Sequence, residues 1–157
     1  MRNGGRWAAV AALVLSVGLT GCEASRTATS ASSEQPAQVE TISGKDVKQV
    51  RLTDQAVKRL GIETTTVAAA SQDAAGAAPA APMMTVPYSA VIYSADGAAW
   101  IYTVPSPRSY VREKVVVANV GGDRGSVAWL SAGPAVGTAV VTVGVPELYG
   151  AELGVGK

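Results

Sequence analysis

Residues 90–117, AVIYSADGAAWIYTVPSPRSYVREKVVV, decide the fold. Three runs rich in Val, Ile, Tyr and Trp are separated by Asp96-Gly97 and by Pro105-Ser106-Pro107, which breaks the chain. β-Branched and aromatic side chains favour strands, and Asp-Gly between two such runs signals a hairpin, because both central positions of a tight turn want positive φ. Tyr110 to Val117 is the longest strand candidate, with Arg112 and Lys114 on one face and Val111, Val115 and Val117 on the other. That alternation predicts a strand with one wet face.

The same grammar extends both ways. Downstream, Gly121 to Gly125 reads as a loop, Ser126 to Leu130 as a strand, Gly133 to Gly137 as a turn and Thr138 to Val143 as another strand. Upstream, Met84 to Val86 and Ala90 to Ser94 are strand candidates, and Val47 to Leu52 and Ile62 to Val67 flank a short helix. Thr53 caps that helix, Asp54 sits at the positive end of its dipole, Lys58-Arg59 sit at the negative end, and Gly61 stops it. Val57 and Leu60 form a stripe that needs an apolar surface its own segment lacks, so residues 41–67 and 83–157 are expected to share one core. The fold class is therefore mainly β: a small β-barrel or β-roll of about six to eight short strands with one short helix over residues 54–60.

Composition narrows the function. At 157 residues the chain has room for one small domain plus tails. Lys and Arg number 13 against 12 Asp and Glu, with no dense basic run, which argues against nucleic-acid binding. There is no His and only one Cys, so a thiol or imidazole zinc site, a Ser-His-Asp triad, a Cys-His dyad and an internal disulfide are all excluded. We expect no enzyme, no catalytic residue, no cofactor and no metal site. Met83-Met84 lacks a third soft ligand and reads as a strand entry rather than a copper site. Asp96 and Asp123 stand beside glycines as turn residues. In a chain without Phe, Trp100, Tyr102, Tyr110 and Trp129 are the main core fillers, with a partner surface as the other use.

The N-terminus carries a different signal. Arg2 and Arg6 precede an uncharged apolar stretch, Trp7 to Leu19, which is too short for an ordinary spanning helix and reads as an export signal. Leu19-Thr20-Gly21-Cys22 resembles the lipobox of bacterial lipoproteins, which implies cleavage before Cys22 and acylation of its thiol. Glu23 to Glu40 is Ser-, Thr- and Ala-rich, and Ala68 to Pro82 is an Ala tract interrupted by Gly76, Pro79 and Pro82. The expected organisation is a signal peptide at 1–21, a flexible tether at 22–40, and a β domain at 41–157 with a linker at 68–82. The expected location is the cell membrane, lipid-anchored on its extracytoplasmic side.

Two phrases carry a second resemblance. Val50-Arg51-Leu52-Thr53, Ala56 and Arg59-Leu60-Gly61-Ile62-Glu63-Thr64 resemble the opening of periplasmic adaptor subunits (membrane fusion proteins) of tripartite efflux pumps. Val86 to Val91, the hairpin from Asp96-Gly97 to Val104, Val111 to Val115, Gly122-Asp123, Val140 to Gly144 and Glu147 to Glu152 resemble the end of the same family. In that family the first and last segments meet in a membrane-proximal β domain resting on the inner-membrane transporter, with bridging domains between them. Here a 15-residue linker stands in their place, and Ala132 to Val140 lacks the family's charged turn residue. The resemblance implies an accessory or truncated adaptor that docks on a transporter and assists export. Arg112, Glu113 and Lys114 are the candidate partner-binding residues. The alternative is a small lipoprotein module that binds a ligand or cell-wall component, unrelated to efflux.

Overall fold

The computed structural model describes residues 35–70 and 83–155. The expected signal peptide, Cys22, most of the tether and residues 71–82 of the linker lie outside the described residues. The first piece opens with two antiparallel strands, β1 (Ala37–Thr41) and β2 (Lys48–Leu52), in register from Ala37 opposite Leu52 to Thr41 opposite Lys48. β1 corrects the expected boundary of the tether at residue 40. Only Ala37 and Val39 are half-buried, and the strand is held by its backbone ladder, which its polar outward residues do not oppose.

Helix α1 (Asp54–Leu60) forms over the residues that the sequence indicates. Thr53 Oγ1 accepts a hydrogen bond from Ala56 N (3.1 Å), and Gly61 closes the helix in a left-handed conformation. Ala56 is buried, while Val57 and Leu60 pack half-buried beside it, so the expected stripe does dock. Next come β3 (Glu63–Thr66) and β4 (Ala68–Ala69), separated by Val67 alone. β4 occupies the start of the expected linker. It pairs with β5 (Met84–Pro87), and the ladder is extended by Ala70 N donating to the Met83 carbonyl at 2.9 Å. Ala is a poor strand former in isolation, but tertiary pairing overrides propensity here.

A 3-10 turn (Tyr88–Ala90) and the two-residue β6 (Ile92–Tyr93) replace the continuous strand expected over 90–94. β6 turns into β7 (Ala99–Ser106) through Ser94 to Ala98, closed by Gly97 N to the Ser94 carbonyl at 2.8 Å. Of the Asp96-Gly97 pair only Gly97 has positive φ, +80°, so this is a longer turn than the two-residue hairpin. Pro105-Ser106-Pro107 does not break the chain either. β7 continues to Ser106 because Pro105 falls in a shift of register, and Pro107-Arg108 turn the chain into β8 (Ser109–Gly121). Strands β9 (Val127–Ala132) and β10 (Ala139–Val143) follow, and a second helix, α2 (Val145–Leu153), ends the fold.

The sheet runs β3-β10-β7-β8-β9-β5-β4, with β1-β2 attached to β8 and β6 to β7. The two ends of that path are joined by Val67, whose N–H donates to the Thr138 carbonyl (2.9 Å) and whose carbonyl accepts from Gly137 N (2.8 Å). The sheet thereby curls back on itself as a small β-barrel. The ten strands and two α-helices among the described residues exceed the expected number of elements, because β1, β4 and α2 come from stretches whose composition did not announce them. Val67, Val86, Ile101, Val115, Leu130 and Val140 fill one core, contributed by β5, β7, β8, β9 and β10 and by the residue between β3 and β4. Val50, Leu52, Tyr102, Tyr110, Val141 and Leu148 form a second core under the helices. Neighbours Ile101 and Tyr102 on β7, and Val140 and Val141 on β10, go to opposite cores, as the two-residue period of a strand requires.

Candidate functional site

Arg112 lies opposite Tyr102 in the β7–β8 register, so both side chains stand on the face that α2 covers. On α2, Val145, Leu148 and Glu152 are the buried residues, spaced three, four and seven apart along one helical face. That helix is set in place at Gly144, whose φ is +89°. That left-handed conformation calls for glycine, and a Cβ there would also press on the terminal methyl of Ile62. α2 therefore lowers a carboxylate onto the sheet.

Glu152, 3% exposed, is fully engaged. Its Oε1 accepts from Arg112 Nη2 at 3.1 Å and from Lys48 N at 3.4 Å, and its Oε2 accepts from Tyr102 Oη at 2.5 Å. The Arg112 guanidinium lies 4.3 Å from the centre of the Trp100 ring and 5.3 Å from that of Tyr149. Burial first, and then the bond to Glu152, push the Tyr102 phenol well above its ordinary pKa of 10.0. The cluster ties the last helix to β2, β7 and β8. Its carboxylate is closed to solvent and its protons are shared internally, so the arrangement is a structural latch.

This placement corrects the expected wet face. Arg112 and Lys114 do alternate with Val111 and Val115, but α2 lies over the strand at Arg112 and takes up its charge. Glu113 and Lys114 are exposed, and as successive residues they point to opposite faces. Arg112, Glu113 and Lys114 thus do not form one surface. Cys22, the expected lipid attachment, lies outside the described residues. Tyr102, Tyr110 and Trp129 are buried, and Trp100 is half-buried with its Nε1 donating to Ser94 Oγ at 2.9 Å. Asp96 is a turn residue, held below the usual carboxylate pKa by hydrogen bonds from Ser94 and Ala98. Among the described residues, no three Asp, Glu, Cys or His side chains converge as metal ligands, and no helix is long and apolar enough to cross a membrane.

The open feature is a groove between α1 and α2. Its cavity of about 390 Å³ is lined by Leu52, Ala56 and Leu60 on one wall and by Gly150, Ala151 and Val155 on the other. Arg59 and Glu147 stand at this groove on α1 and α2, both exposed. Its apolar floor suits a protein surface or an apolar ligand better than a charged substrate. Sequence reading missed the groove because α2 was not expected. The available signal was the helical spacing of Val145, Leu148 and Glu152.

No protein-family model matches the chain, and neither a curated protein nor a solved structure matches it.

Proposed function

We propose that the chain is a lipid-anchored, non-enzymatic adaptor lipoprotein that docks on the extracytoplasmic face of an inner-membrane transporter and assists export. The observation that carries this reading is the split domain. Residues 37–69 and 83–155 interleave in one barrel, with β2 on β8, β3 on β10 and β4 on β5. That is the arrangement the resemblance to efflux adaptors implies for their first and last segments. Residues 71–82 replace whatever such an adaptor inserts between them. The lipobox-like phrase ending at Cys22 supplies the membrane attachment in this reading.

The test is in-cell photocrosslinking of the full chain, with the crosslinker at Glu113 or Lys114, whose side chains are exposed and take no part in the latch. A transporter subunit should be captured, and Cys22→Ala should abolish both acyl labelling and capture. An abundant, membrane-bound protein that captures no transporter subunit would overturn the adaptor role. Failure of the wild-type chain to take up acyl label would overturn the anchor.

A further inference from the structure

The groove between α1 and α2 carries features that its own fold does not use. Gly150 stands inside α2, where alanine would favour the helix, yet a Cβ built on it meets nothing within 4 Å. Neither crowding nor a left-handed backbone calls for glycine at this position. The missing side chain leaves the groove open at this point. Ala56 and Ala151 keep the same floor low. Beside them Val155 is 74% exposed, the most exposed large apolar residue among the described residues.

The charges at the groove suggest what approaches. Arg59 on α1 and Glu147 on α2 make no ion pair among the described residues. A two-fold axis through the groove would lay α1 of one copy over α2 of another. Each Arg59 would then face the other copy's Glu147, so the face is complementary to itself. We propose that this groove is a self-association surface, and that its occupant is a second copy of this chain. Gly150 lies near the axis, and Val155 of each copy covers the apolar floor of the other. This inference goes beyond the adaptor reading and does not depend on it.

The experiment is light scattering on the purified full chain in excess detergent micelles, across a dilution series. The wild-type chain should dimerise. Arg59→Glu and Glu147→Lys should each weaken association roughly tenfold, since each turns two attractive pairs into repulsive ones. An equimolar mixture of the two variants should restore dimers, because every facing pair is then again of opposite sign. Gly150→Leu should abolish dimers while leaving the thermal unfolding of the monomer unchanged or raised, because the site is open in one copy. A wild-type chain that stays monomeric, a mixture that fails to restore association, or dimers undisturbed by Gly150→Leu would each overturn the proposal. So would a different polypeptide crosslinked to the groove of a monomeric chain.

Discussion

The two cores share strands β7 and β10 but solve burial differently. Inside the barrel the filling is aliphatic and small, with Val67, Val86, Ile101, Val115, Leu130 and Val140 and no titratable group among the clustered residues. Under the helices, Tyr102, Tyr110 and Leu148 surround an ion pair whose carboxylate is 3% exposed. The first core is held by contact area, which tolerates exchange of one aliphatic for another of similar volume. The second is held by partners that must all be present, because a buried charge left alone is costly. Stability and specificity are thus divided between the two faces of one sheet.

The sharpest way to break this contrast is to remove the carboxylate. Glu152→Ala should cost about 3–5 kcal/mol by stranding Arg112, whereas Ile101→Val in the barrel should cost about 0.5–1.5 kcal/mol, both read by urea denaturation. Equal losses would mean that the latch contributes little. The next effect is on pH. Tyr102 and Tyr110 both have pKa values raised by burial, so the folded state holds their protons more tightly than the unfolded chain does. Their contribution is complete below the ordinary value of 10.0 and declines as pH rises past it, because unfolding then releases protons. The unfolding midpoint should fall from pH 10 to 12, and Tyr102→Phe should flatten that slope while lowering the midpoint at neutral pH. A midpoint independent of pH over that range would place the helix-covered core in contact with water. The smallest effect should come from lengthening the connection between β4 and β5. Ten Gly/Ser residues added within 71–82 should change stability by less than about 1 kcal/mol, since closure entropy grows only with the logarithm of length.

The contrast also explains what the sequence disclosed. Elements with local signals were legible: α1, with Thr53, Asp54 and Gly61 at its ends, and the runs that became β2, β3, β5, β7, β8, β9 and β10. Elements defined by distant partners were not. β1 has only two half-buried side chains and depends on β2 for its shape. α2 has no side-chain cap and carries Gly150 in its interior, which weakens its local signal, although Pro146 and Glu147 in its first turn and Gly154 at its end are compatible with a helix. Arg112 looked solvated because its strand alternates, and the helix that covers it lies forty residues further along. The candidate site inherits this blindness, since both the latch and the groove require α2.

The bond from Lys48 N to Glu152 spans 104 residues, and β3 is completed by β10 with Thr66 opposite Ala139 and Glu63 opposite Val143. β1 and β2 pair with each other locally, but β2 gains its second neighbour only at β8 and β3 its partner only at β10. High contact order of this kind makes folding slow. A nascent chain truncated before α2 should leave the second core uncovered, with Arg112 unpaired and the face formed by β2, β7 and β8 open to protease, while the aliphatic barrel core keeps all of its own residues.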